Sequence, residues 1–320
     1  MKFIAKLMKK FKVEKVDSFT GHQDCVYSLA KSPLEGRFFS ASGDGTVVEW
    51  KQDVPDLGTP IVKVHNSIYA IELHDATGHL WVGHNFEGIH VVDPVDKKSL
   101  KSIRLNKSTI FDIKFVENLA LIAGGDGVLS IIDVDEFAFK KHLKASDKSV
   151  RSIDVNAKTR EIAAAYSDHK IRIFSLDNFQ LKATLVGHDN SVFSVKYVND
   201  GRLLVSGSRD AKLIAWDVAD SYTKSNEVNA HLFAINDIVV NPKGDLLATC
   251  SMDKSIKIWD AETLKLLKVI DRGRHAGHGT SINKLLWTDF NDQLLSCSDD
   301  RTISAWTIEK IEPTSTFSQT

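Results

Sequence analysis

Cysteine is scarce in this chain: Cys25, Cys250 and Cys297 are the only thiols in 320 residues. Three scattered cysteines cannot frame a disulfide-stapled fold, and they point to a reducing, cytoplasmic compartment. Long apolar runs are also missing, since none approaches the roughly 20 residues that a bilayer-spanning helix needs. Nor does one sign of charge dominate. The 41 basic and 42 acidic side chains leave a net charge of −1, which argues against a general nucleic-acid binder. What is present is ordinary for a protein with a sizeable core: 42% hydrophobic and 26% charged residues. A length prior of roughly 150 residues per domain suggests two domains, but repetitive β folds break that prior.

The opening MKFIAKLMKKFK does not read as a secretory signal. Lys6, Lys9 and Lys10 interrupt the ~7–15 residue apolar stretch such a signal requires. On a helix, Phe3, Ile4, Leu7, Met8 and Phe11 would share one face and Lys2, Lys6, Lys9, Lys10 and Lys12 the other. Residues 1–13 therefore read as a basic amphipathic segment that could touch an anionic membrane surface or a partner. A frayed or locally docked terminus is the plainer reading, because isolated helices this short are marginal in water.

The rest of the chain repeats itself. SGSRDAKLIAWD from Ser206, TCSMDKSIKIWD from Thr249, SCSDDRTISAWT from Ser296 and SASGDGTVVEWK from Ser40 share one frame. Weaker copies start at Ile122, Ala164 and Val82, the last with Phe86 where the others have Asp44, Asp126, Asp168, Asp210, Asp253 and Asp300. These positions recur every 40–47 residues. A second signal precedes each: GHQDCVYSL at Gly21, GHDNSVFSV at Gly187, AHLFAINDI at Ala230 and GHGTSINKL at Gly277, with degenerate copies at Val64, Leu105 and Ala145. Within each unit, apolar or alternating runs of strand length are separated by turn residues, as in SVFSVKYV, RLLVSGS and KLIAWDV. A fourth run, such as LKATLV from Leu181, lies before each Gly-His. Four strands in such a unit make a propeller blade.

Over residues 14–308 the sequence resembles the WD-repeat (WD40) family, closely in repeats five to seven, well in repeat one and only partly in repeats two to four. The resemblance implies an all-β, seven-bladed β-propeller with four antiparallel strands per blade. Its last blade would be completed by an N-terminal strand at 14–20, which leaves no exposed sheet edge. Residues 309–320, ending TSTFSQT, would be a flexible tail. It also implies a structural network in each complete blade: His22, Asp44 and Trp50; His188, Asp210 and Trp216; His231, Asp253 and Trp259; His278, Asp300 and Trp306. The hydroxyl partner would be Ser40, Ser206, Thr249 or Ser296, with the serine two positions later left open. Repetition of a His–Asp–Ser set from blade to blade favours a structural role over catalysis, since an active site needs one constellation. Val92, Ile132 and Phe174 stand at the indole position of blades two to four, and Asn106 and Ser146 replace histidine. Weaker local stability and more reliance on apolar packing are expected there.

The family resemblance further implies three top-face positions per blade. The first reads Cys25, Ser67, Thr109, Ser149, Ser191, Ala234 and Ser281. The second reads Tyr27, Tyr69, Phe111, Arg151, Phe193, Asn236 and Asn283, and the third Gly43, Asn85, Gly125, Ser167, Arg209, Met252 and Asp299. Aromatics and arginine are the usual hot-spot types, so Tyr27, Tyr69, Phe111, Arg151, Phe193, Arg209 and Met252, with Asn236, Asn283 and Asp299, form the candidate face for a partner's peptide or loop. The plainer alternative is that these rings merely fill the channel. Metal binding is disfavoured: His65, His74, His79, His84 and His90 fall at unrelated levels of blade two, and His278 beside His275 already has a structural role. GGDG at Gly124 is a turn rather than a phosphate cradle. The reading is a monomeric, non-catalytic scaffold without cofactor, acting within a protein complex. A membrane-recruited adaptor is the alternative, and a small-molecule propeller enzyme is disfavoured for want of converging titratable groups.

Overall fold

A computed structural model describes residues 10–105 and 107–311. Seven four-stranded antiparallel sheets follow one another around a ring. Blade one is built from Val26–Lys31, Arg37–Ser42, Thr46–Lys51 and Val54–Lys63. The pattern repeats over 68–104, 110–144, 150–186, 192–229 and 235–270. Blade seven combines Ile282–Trp287, Leu294–Ser298 and Ile303–Ile311 with the strand Lys10–Phe19 from the start of the chain. That closing strand pairs antiparallel along its length, from Lys10 opposite Ile311 to Phe19 opposite Ile303.

The strand periodicity has a direct physical cause. Each sheet is covered on both faces by its neighbours, so second strands such as Leu246–Ser251 are buried at every residue and lose the alternation of a half-exposed sheet. Outer strands behave oppositely. In Leu181–Val186 only Leu185 is fully buried, which is why these runs are the least distinctive in sequence. Seven hydrophobic clusters lie one at each blade interface. The core is therefore a ring rather than a centre.

Both chain ends extend the propeller beyond the expected limits of 14 and 308. The closing strand starts at Lys10, and Phe11 joins Val13 in the cluster between blades six and seven. Lys12 instead pairs with Glu14 at 2.7 Å on the exposed side. Alternation of period two has replaced the helical face at 10–12, because pairing with the last strand satisfies the backbone that a short helix could not. The rest of the basic segment (1–9), Asn106 and the tail TSTFSQT lie outside the described residues. The wide spacing between Asp253 and Asp300 is taken up by a helical turn, Arg272–His275, and a 3₁₀ turn, Phe290–Asp292.

Candidate functional site

Four blades carry the same buried polar chain. In blade one, Trp50 Nε1–H donates to Ser40 Oγ at 2.7 Å, His22 Nε2 lies 2.7 Å from the same hydroxyl, and His22 Nδ1 lies 3.1 Å from Asp44 Oδ2. The consistent proton arrangement has the hydroxyl donating to Nε2 and Nδ1–H donating to the carboxylate. Asp44 also accepts from the Gln23 and Thr46 amides, which locks the turn. The chain recurs through Ser206, Thr249 and Ser296. The serine two positions later acts separately, since Ser42 Oγ accepts from the Asp44 amide and donates to the Asp24 carbonyl. The hydroxyl residues Ser40, Ser206, Thr249 and Ser296 are 0% exposed and already committed, so a substrate cannot reach them.

Burial pushes His22 and His231 below their ordinary pKa, outweighing the pull of Asp44 and Asp253. They are neutral in the fold, whereas the unfolded chain protonates them near pH ~6.5. The unfolded state then binds more protons, so stability falls as pH drops through that value. The carboxylates add a second step. Burial alone would raise Asp210, but His188 and the Asp189 and Lys212 amides hold it down at about 2. Its contribution is complete above the unfolded value of ~3.9 and is lost towards pH ~2. Urea midpoints measured across a pH series should therefore fall between about pH 7 and 5, and again below about 4. A flat profile above pH 5 would contradict the neutral buried imidazoles.

The degenerate blades do not rely on apolar packing alone. In blade four, Arg172 forms a bidentate pair with Asp168 at 3.1 and 2.7 Å and stacks on Tyr166 at 4.4 Å. In blade three, Ser130 Oγ meets His142 Nδ1 at 3.0 Å, so the imidazole comes from the outer strand instead of the entry loop. Blade two places His84 Nδ1 3.0 Å from His90 Nε2. The expectation that the blade-two histidines sit at unrelated levels fails for this pair. Val82 and His90 face each other across a tight hairpin, and that hairpin brings His90 up to His84.

The second top-face set converges as one ring. In every blade the register between inner and second strand shifts at this residue: around Tyr27, Tyr69, Phe111, Arg151, Phe193, Asn236 and Asn283. A β-bulge leaves its extra residue unpaired and re-aims the side chain. All seven side chains line one cavity of about 440 Å³ at the mouth of the channel, with Thr109, Ser152 and Lys284. Tyr27 and Tyr69 pack at 4.4 Å between ring centroids, Tyr69 and Phe111 at 6.0 Å. The Arg151 guanidinium lies between Phe111 and Phe193, 3.8 and 4.6 Å from their centroids. Burial lowers Arg151 to about 10, which still leaves it cationic at neutral pH, and its Nε has no protein partner among the described residues. The two amides are engaged: Asn236 donates to Ser281 Oγ and the Ile282 carbonyl, Asn283 to the Val26 carbonyl and Asp299 Oδ1.

The other two sets play different parts. Hydroxyls of the first set tie blade to blade, as Ser67 donates to the Gly43 carbonyl, Ser149 to Gly125 and Ser191 to Ser167. Arg209 and Met252 are exposed on their turns and do not line the cavity, and Asp299 is held by Asn283. Sequence reasoning missed Leu232 and Phe233, which are 82% and 60% exposed. Their loop abuts the Met252 turn through Ser251 Oγ donating to the Phe233 carbonyl at 3.2 Å and the Met252 amide to the Ala234 carbonyl at 3.0 Å. The signal was available, since these positions hold Gln23–Asp24 and Asp189–Asn190 in the blades that match best.

Comparison with known proteins agrees with this architecture. The family profile "WD domain, G-beta repeat" matches residues 13–51, 179–217, 223–260 and 269–307, the repeats that carry the four complete networks. The chain is similar to protein tipD of Dictyostelium discoideum, 26% identical over 82% of this chain and 39% of that protein. It is also similar to the CCR4-associated factor 4 homolog of Candida glabrata, 29% identical over 52% of this chain and 28% of that one. A probable cytosolic iron-sulfur protein assembly protein 1 of Kluyveromyces lactis is 31% identical over 39% of this chain and 40% of its own length. The chain thus spans two-fifths or less of these curated relatives. Among solved structures, the WD40 β-propeller domain of Doa1 superposes with a TM-score of 0.82 at 20% identity, over 92% of this chain and 97% of that one. Four profile matches, seven closed blades and the shared buried network lead to one conclusion: the chain belongs to the WD-repeat β-propeller family.

Proposed function

We propose that the chain is a non-catalytic protein-interaction module that receives an extended peptide or a loop at the channel mouth. The convergence of seven bulged side chains on one aromatic-walled cavity carries this reading. Tyr27, Tyr69, Phe111 and Phe193 offer rigid apolar area, and Arg151 lines the cavity as a cation that prefers an acidic or carbonyl acceptor. Among the described residues no carboxylate lines the cavity, so an acidic partner residue enters without close like-charge repulsion. Leu232, Phe233 and Met252 add an exposed apolar contact on blade six for the flanking part of the partner.

Affinity capture from native extract with mass spectrometry identifies the partner, after which Tyr69→Ala with Phe111→Ala tests the site. Both side chains are half-buried and line the open cavity, so the variant should keep its fold. Loss of two hot-spot rings is expected to weaken binding by at least about 2 kcal/mol, roughly 30-fold. Unchanged affinity in a folded double variant would remove the channel mouth as the binding site.

A further inference from the structure

Blade two departs from the other blades in a way that replaces one kind of chemistry with another. Phe86 takes the place of the turn aspartate, and His84 stands where the complete blades have Ser42, Ser208, Ser251 and Ser298. The left-handed residue of this turn is Phe86, at φ 68°, whereas in blade one it is Gly45, the residue after the aspartate. The Glu87 carboxylate of this turn lies beside His84 while its side chain stays largely exposed. His84 Nδ1 then has two close neighbours: His90 Nε2 at 3.0 Å and Glu87 Oε2 at 3.2 Å. One ligand atom from each of the three side chains lies within 4.8 Å of the others. A proton on Nδ1 makes one strong hydrogen bond and leaves the other neighbour unserved, whereas a cation engages all three.

From this convergence we infer that His84, Glu87 and His90 form a binding site for a divalent transition-metal ion of the Zn²⁺ class. Ligands of a tetrahedral zinc at about 2.0–2.1 Å stand roughly 3.3 Å apart, close to the 3.0 and 3.2 Å that separate His84 Nδ1 from its two neighbours. One outer partner is in place as well. Ser102 Oγ lies 3.1 Å from His90 Nδ1. His90 thus offers Nε2 to the ion and has its other nitrogen against a hydroxyl that can accept its proton, the arrangement that orients metal-ligating histidines. His84 is only 2% exposed, which fixes its ring, while Glu87 is open to solvent and can close on the ion. Glu87, His90 and Ser102 also line a surface cavity of about 520 Å³. Two imidazoles and a carboxylate leave a fourth position, and this cavity gives water or another ligand access to it. Imidazole-rich sets suit Zn²⁺ and Co²⁺ better than Mg²⁺ or Ca²⁺, which prefer all-oxygen shells.

The test uses the full chain, stripped of metal with a chelator and titrated with Zn²⁺ against a competing chromophore at neutral pH. Co²⁺ serves as the spectroscopic substitute. The intact chain should take up one equivalent of Zn²⁺ and develop the visible bands of low-coordinate Co²⁺. His90→Gln and Glu87→Gln should each abolish those bands, and Ser102→Ala should weaken uptake by about 10–100-fold. The Glu87 side chain is more than half exposed and the glutamine amide oxygen can still accept from His84, so this variant stays folded and keeps the test decisive if His90→Gln does not. Absence of stoichiometric uptake, or uptake unchanged in Glu87→Gln, would reduce the cluster to a hydrogen-bonded substitute for the missing network.

Discussion

Trp306→Ala is expected to destabilise the propeller by about 3–5 kcal/mol, the cost of truncating a fully buried tryptophan. Its indole is 0% exposed and sits in the cluster between blades six and seven, with Phe11, Val13, Ile258, Ile270 and Trp287. The loss is compounded by chemistry. Trp306 Nε1–H donates to Ser296 Oγ at 2.9 Å, and that hydroxyl also serves His278. The residue lies in the strand that pairs with Lys10–Phe19, so the cavity opens at the seam where the ring is closed. Trp306→Phe separates the two contributions. It retains much of the apolar volume and removes one buried hydrogen bond, for an expected loss of about 1–2 kcal/mol. Urea unfolding followed by circular dichroism measures both, and an alanine variant costing under about 1 kcal/mol would show that the seam relaxes around the missing ring.

The second large effect is expected at Asp237, where removal of the carboxylate should cost about 3–5 kcal/mol. Asp237 is buried in the inner strand of blade six, and its oxygens reach both neighbouring blades. They accept from the Leu285 amide at 3.0 Å, from Lys284 Nζ at 3.2 Å and from Ser194 Oγ at 3.4 Å. Asp112 and Asp154 bridge other blades in the same way, accepting from the Ile153 and Tyr197 amides at 2.8 and 2.7 Å. Asp154 also pairs with Lys196 at 2.9 Å. Truncating one of these acids strands a backbone donor, and at Asp237 and Asp154 a lysine with it. Breaking such a pair therefore costs more than the pair contributes. Burial alone would lower the Lys284 pKa, but Asp237 and Asp112 hold it above its ordinary value, so it should drop in Asp237→Ala. Asp237→Asn should recover part of the loss, because its amide oxygen still accepts from Leu285. Equal urea midpoints for the alanine variant and the parent protein would refute the bridging role.

Much of this was readable in the residues. The Gly-His and Asp…Trp signals at fixed spacing revealed blades one, five, six and seven, since a buried imidazole–carboxylate–hydroxyl–indole chain requires those four residue types at those separations. Blades two to four were placed by spacing and by degenerate copies of the two signals, and their substitute networks carry no signal of their own. Arg172 and His142 lie on strands where alternation assigns charged residues to solvent. Their local geometry turns them onto Asp168 and Ser130. The strand Lys10–Phe19 was half legible, because an amphipathic helix and an alternating strand both explain MKFIAKLMKKFK until pairing with Ile303–Ile311 decides between them. Leu232 and Phe233 fall outside the three positions per blade that the family resemblance supplies, so their apolar departure from Gln23–Asp24 and Asp189–Asn190 gained weight only once the structure showed both side chains exposed.

The sequence by itself determined the architecture, because four strands repeated seven times can bury their faces only against one another. The resemblance to the repeat family also indicated which imidazoles, carboxylates and indoles meet, and left the choice of hydroxyl to the structure. The tertiary structure alone decided how the side chains of the candidate sites meet one another. A register shift at the second residue of each inner strand turns Tyr27, Tyr69, Phe111, Arg151 and Phe193 into one cavity. A changed turn gathers His84, Glu87 and His90 at one point. The first depends on where one strand slips relative to its partner, the second on which residue of an unshifted hairpin takes the left-handed conformation. A slip of one residue leaves composition and spacing untouched while redirecting every side chain that follows.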